Sequence, residues 1–164
     1  MNLNWYNSLN KPLFNPPNGI FAPVWGVIYL LMFIAFWLMI YSDTNLDKKP
    51  AITFFIIQLI LNFSWSPTFF YFHNIKLAFV IIIFLNLFLI LTIVSFFKIS
   101  KASGYLLVPY LLWLMFATYL NFEFMRLNWL FNFFKWRNKV VVLNISINFS
   151  QKDLTIFFIC VNRR

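Results

Sequence analysis

Gln58, Asn62 and Ser66 recur every fourth residue in a stretch, 51–72, that contains no Asp, Glu, Lys or Arg. On a helix this spacing sets three neutral hydrogen-bonding groups along one face, with Trp65 three residues from Asn62. Tyr110, Trp113, Ala117 and Asn121 step by three, four and four; Phe21, Trp25, Tyr29 and Met32 step by four, four and three. Each pattern mixes aromatic surface with a few amide or hydroxyl groups, the composition of a small-molecule pocket. The chemistry on offer is stacking and hydrogen bonding, not proton transfer. Proton relays, voltage sensors and ion-coupled carriers place charged side chains inside their spans, and these stretches hold none. The plainer reading, in which amides join helix to helix and aromatics fill a core, remains open beside the pocket.

The elements that carry these residues follow from the distribution of charge. The chain has 164 residues, of which 62% are hydrophobic, 23% aromatic and 10% charged. A soluble domain carries about a quarter charged residues. Four runs, 20–41, 51–72, 77–97 and 104–122, lack Asp, Glu, Lys and Arg entirely. Each is close to the roughly 20 residues needed to cross about 30 Å of hydrocarbon. The expected fold class is an all-α membrane protein, a transmembrane helix bundle with four spans covering 20–128.

The rest of the chain adds less. Pro12, Pro16, Pro17 and Gly19 predict a loop over 1–19, with Trp5, Tyr6 and Phe14 suited to the headgroup region. No apolar signal-peptide core is visible in that segment. Pro67 and Pro109 fall inside spans and predict kinks, since each removes a backbone donor. The net charge is +9, and residues 126–164 hold seven basic groups against Asp153 alone. Basic residues beside a span orient it towards the cytoplasm. Nucleic acid is not an expected partner, because no fold is present to display the charge as a basic patch. The basic tail 129–164 has two short apolar runs that alternate in a faintly strand-like way. With four spans both termini share one side, and Lys11, Lys76, Arg126, Lys135, Arg137 and Lys139 there weigh against Lys48, Lys49, Lys98 and Lys101 opposite. That balance gives weakly cytoplasmic termini. The single cysteine, Cys160, and single histidine, His73, form no metal site. A homodimer is compatible with the sequence, although Gly19, Gly26 and Gly104 make no GxxxG pair.

Order and spacing of several motifs then carry a resemblance. Trp5-Tyr6, Leu9, Lys11-Pro12, Asn15-Pro16-Pro17 and Phe21-Ala22-Pro23-Val24-Trp25 with Tyr29 open it. Gln58-Leu59, Asn62, Trp65-Ser66-Pro67 and Phe69-Phe70 continue it, and Pro109-Tyr110, Trp113, Phe116-Ala117 and Leu120-Asn121 complete it. From about residue 5 to 128 the chain resembles the TspO/MBR family of tryptophan-rich sensory and translocator proteins. The resemblance implies a five-helix membrane bundle that binds porphyrin, haem-like tetrapyrroles and sterols near one membrane face, without an obligatory cofactor. It implies that Tyr6 and the segment to Pro17 lid the site. It places Trp25, Asn62, Trp65, Trp113 and Ala117 on the ligand-binding wall, with Tyr110 and Asn121 nearby. Four of the family's five helices are expected here, and the tail after Asn128 has no recognised counterpart in it.

Three functions follow as expectations. The first is binding or transport of porphyrins, with a stress-sensing role, in a multi-pass membrane protein of a bacterial cell membrane. The second is light- and oxygen-dependent porphyrin degradation, in which Trp25 and Trp113 would donate electrons to the bound ring. The third is a truncated, non-functional remnant. No nucleophile–base pair supports ordinary hydrolysis.

Overall fold

A computed structural model describes residues 3–13 and 16–128, and the basic segment 129–164 lies outside the described residues. A short helix, α1 (Leu3–Ser8), precedes α2 (Asn18–Ile40), α3 (Lys49–Phe70) and α4 (Ile75–Ile99). The last helix, α5, covers Lys101–Asn128. Among the described residues no strand forms, and helices α2 to α5 are each long and apolar enough to cross a membrane. The shortest of the four has 22 residues, which at 1.5 Å per residue spans about 33 Å.

The structure differs from the sequence expectation at the N-terminus, where a loop was expected throughout 1–19. Leu3–Ser8 is helical because the helix-breaking prolines begin only at Pro12. The helix ends where the Ser8 Oγ donates to the Trp5 carbonyl at 2.7 Å and Leu9 N–H donates to the Tyr6 carbonyl at 3.3 Å. Pro17, extended at φ −55° and ψ 140°, then leads into α2. That conformation costs proline nothing, since its ring already fixes φ near this value.

Helix ends are set by local polar contacts. The Lys48 ammonium donates to the carbonyls of Ile40 (2.8 Å) and Ser42 (2.7 Å), placing a cation on the negative end of α2. Ser42 Oγ donates to the Ile99 carbonyl at 3.2 Å and so ties that end of α2 to the end of α4. Between α3 and α4, His73 adopts a left-handed φ of 54° and Asn74 N–H reaches back to the Thr68 carbonyl at 3.1 Å. The Asn74 side chain then caps α4 by accepting from Leu77 N–H at 3.0 Å. Only Ser100, extended, separates α4 from α5. The turn is tight enough that a Cβ on Gly104 would lie 2.5 Å from the Phe97 ring. All three span prolines, Pro23, Pro67 and Pro109, lie within continuous helices.

Ile28, Met32, Ala35 and Met39 of α2 join Phe55 of α3, Leu85, Leu89 and Phe96 of α4, and Leu107 and Leu114 of α5 in the main core. Phe36 stacks on Phe55 at 4.6 Å, and Phe55 on Phe96 at 5.8 Å. Lipid tails are as apolar as these side chains, so van der Waals fit and buried hydrogen bonds hold the helices together. A part-buried bond links α4 to α5, from Asn86 Nδ2 to Thr118 Oγ1 at 2.8 Å. The opposite faces expose Leu30, Phe33, Phe63, Phe84, Leu112 and Met115, the surface a bilayer would cover.

Candidate ligand-binding site

A chain of side-chain hydrogen bonds crosses three helices. The Tyr29 hydroxyl of α2 donates to Asn62 Oδ1 of α3 at 2.8 Å. Asn62 Nδ2 donates to the Tyr110 hydroxyl of α5 at 2.7 Å, and that hydroxyl donates to Gln58 Oε1 at 3.3 Å. Every donor points the same way, from the half-exposed Tyr29 inward to Gln58, which is wholly buried. Trp25 packs over the chain, its ring 5.7 Å from Tyr29 and 6.3 Å from Tyr110. Thus Trp25, Asn62 and Tyr110, expected at the site, are brought together.

Trp113 and Trp65 continue this wall towards α1. Trp113 lies one turn beyond Tyr110, edge-on to Phe21 at 6.0 Å. Ala117 follows half-buried against the main core, and Asn121 one turn later is buried. Trp65 stacks on Phe69 at 5.4 Å and joins the core to a second cluster formed by Tyr6, Phe69, Ala78 and Phe124. In that cluster α1 is docked through Tyr6, 5.9 Å from Phe70 and 5.5 Å from Phe124. The Lys11 ammonium sits 5.1 Å from the centre of the Tyr6 ring, a cation–π contact. Trp5 adds an edge contact to Phe69 at 5.7 Å and a tilted stack on His73 at 4.3 Å. Pro17 is exposed where α2 begins, away from these ring contacts.

Among the described residues five buried side-chain atoms have no hydrogen-bond partner: Gln58 Nε2, Trp65 Nε1, Trp113 Nε1, and both Nδ2 and Oδ1 of Asn121. Burying such a group unpaired costs about 1–3 kcal/mol, so native interiors rarely hold several. Four of the five are donors, and the Trp65 and Trp113 rings that carry two of them pack against Phe69 and Phe21. The arrangement suits a flat apolar molecule with hydrogen-bond acceptors at its edge.

Two members of the polar chain were legible only as sequence patterns, not as site residues. Gln58 is one turn before Asn62, and Tyr29 one turn after Trp25; both signals were present, but not the helix neighbours that join them. Ser66, on the same sequence face, is exposed instead. Each four-residue step rotates about 40° around a helix, so two steps carry Ser66 off the buried stripe.

Comparison with known proteins gives the family. The TspO/MBR family model matches residues 1–127. The Tryptophan-rich protein TspO of Chlorobaculum tepidum is 38% identical over 125 residues, covering 76% of this chain and 79% of that protein. The Tryptophan-rich sensory protein of Cereibacter sphaeroides is likewise 38% identical over 125 residues, covering 76% and 77%. The human Translocator protein is 33% identical over 122 residues, covering 73% and 72%. With Trp25, Asn62, Trp65 and Trp113 set on helices of membrane-spanning length, the chain belongs to the TspO/MBR family as a multi-pass membrane protein.

Proposed function

We propose that this protein binds planar tetrapyrroles, porphyrin or haem, within the bundle and carries or senses them, with sterols as a second apolar ligand class. The observation that carries the reading is the set of unpartnered buried donors on Trp65, Trp113 and Asn121 within aromatic walls. A macrocycle would stack on the indoles while its edge carbonyls or carboxyls accept from the N–H groups. Tyr6 and α1 act as the lid, and Ala117 leaves room on the wall where a larger side chain would intrude. The protein sits in a bacterial cell membrane with its termini cytoplasmic, on the balance of basic residues at its two ends.

Titration with protoporphyrin IX in detergent, followed by tryptophan fluorescence, tests the reading. Saturable quenching is expected, weakened about tenfold by Trp113→Phe, which deletes one donor and keeps an aromatic ring. Ala117→Leu should weaken it by filling the wall. Absence of saturable binding to the wild-type protein would overturn the assignment.

One observation favours the enzymatic reading as a second possibility. Trp25 touches both Tyr29 and Tyr110, so oxidisable rings adjoin the wall. Illumination of the aerated complex would then convert porphyrin to a bilin-like product, and Trp25→Phe would suppress it. Intact porphyrin after illumination leaves binding as the function.

A further inference from the structure

Among the described residues, Asn121 differs from the other orphaned groups in what it lacks. Trp65 and Trp113 each leave one indole donor unpaired, and Gln58 leaves its Nε2 unpaired while its Oε1 accepts from Tyr110. Asn121 leaves both a donor, Nδ2, and an acceptor, Oδ1, unpaired, and the residue is 1% exposed. Native interiors seldom strand two polar atoms of one side chain in this way.

Its place in the fold is a junction. Ala117, one turn earlier on α5, packs on the main core, and Phe124, three residues later, belongs to the second cluster. Phe124 lies 5.5 Å from Tyr6 of α1 and 5.8 Å from Phe69 of α3. Trp65 packs against both clusters and carries one of the unpaired indole donors. Asn121 thus stands between two aromatic clusters, on the helix face that also carries Tyr110, Trp113 and Ala117.

A side-chain amide holds its donor and acceptor side by side. An ester or an ionised carboxylate offers acceptors only. Either could take a bond from Nδ2, but Oδ1 would stay unpaired and would face a second set of lone pairs. An ionised carboxylate buried there would also need a cation. The run 104–122 on α5 supplies none, and neither does 51–72 on α3. Further along α5, Glu123 and Arg126 are turned about 200° and 140° round the helix from Asn121. Lys11 is exposed, over the Tyr6 ring. A neutral group with donor and acceptor on adjacent positions satisfies both atoms of Asn121 at once.

We propose that Asn121 selects ligands that present such a neutral donor–acceptor edge, an amide or an un-ionised carboxyl, to which its side chain makes two paired hydrogen bonds. This selection rests on the binding reading above and narrows its ligand class. The macrocycle stacks on the tryptophans, while the substituent that meets Asn121 is uncharged and able to donate.

Protoporphyrin IX, its diamide and its dimethyl ester share one macrocycle and test the selection, each titrated by tryptophan quenching against the wild-type protein and Asn121→Leu in detergent. The diamide should bind the wild type about tenfold more tightly than the ester, which lacks the donor. In Asn121→Leu that ratio should fall to about twofold or less, through loss of diamide affinity. Comparing the two ratios cancels any unequal partition of the probes into detergent. The diacid matching the diamide would identify an un-ionised carboxyl as the group bound; the diacid matching the ester would identify an amide. Equal binding of diamide and ester by the wild type would overturn the selection, the result expected if a buried water already pairs the Asn121 amide. A diamide preference that survives in Asn121→Leu would arise elsewhere in the site and overturn it too. Absence of saturable binding by all three would remove the binding reading itself, a result distinct from binding without discrimination.

Discussion

Tyr110→Phe removes a single oxygen, yet that oxygen joins two of the three links in the polar chain. The wild-type hydroxyl accepts from Asn62 at 2.7 Å and donates to Gln58 at 3.3 Å, and its residue is fully buried. Interhelical hydrogen bonds in membrane proteins average about 0.6 kcal/mol and reach about 1.7. Loss of both bonds also leaves Asn62 Nδ2 and Gln58 Oε1 buried and unpaired, at about 1–3 kcal/mol for a stranded group. The combined destabilisation should be about 2–3 kcal/mol. Asn62→Leu removes two bonds as well, but strands no amide and leaves Tyr110 donating to Gln58; it should cost about 1 kcal/mol. Tyr29→Phe breaks one bond at the lipid-facing end and should also cost about 1 kcal/mol. Reversible unfolding by SDS in mixed micelles, read by near-ultraviolet circular dichroism, would resolve the ranking, since 2 kcal/mol is about a thirtyfold change in the folding equilibrium. Tyr110→Phe proving no more costly than Asn62→Leu would refute the idea that the hydroxyl holds the three helices together.

Further outcomes follow from other contacts. Asn121→Leu, of similar volume and without the two unpartnered atoms, should stabilise the ligand-free protein by about 1–2 kcal/mol in the same unfolding assay and weaken porphyrin binding. Gly104→Ala should destabilise by about 1–3 kcal/mol, because its new methyl would press on Phe97; Phe97→Leu in the same chain should recover part of that loss. Lys48→Met should cost about 1 kcal/mol by freeing the carbonyls at the end of α2, with Lys48→Arg retaining part of the contact.

The spans were legible because a bilayer penalises charge so strongly that four charge-free runs stand out. Their ends were less so, because charge does not break a helix. Lys49 lies in the first turn of α3, Lys98 in the last turn of α4, Lys101 starts α5, and Glu123 and Arg126 lie within α5. Long basic side chains reach the interface from such positions. The helix Leu3–Ser8 is too short to show a periodic pattern of its own beside the prolines from Pro12 onward. At the site, heptad-like spacing showed that Gln58 and Asn62 share a face, and Trp25 and Tyr29 another. Spacing along one helix says nothing of which helices adjoin, so the bond from Tyr29 to Asn62 had no sequence signal. Nor could it separate the paired Asn62 amide from the unpartnered Asn121 amide, which differ only in what lies across from them.

The central claim is that the indole N–H groups of Trp65 and Trp113 are unpaired until a ligand accepts from them. Nitrogen-15 NMR of the indole groups in lipid nanodiscs, with and without saturating protoporphyrin IX, tests it most directly. Among the seven tryptophans, the two resonances removed by Trp65→Phe and Trp113→Phe should move downfield when porphyrin binds. Saturable binding that leaves both resonances in place would contradict the account.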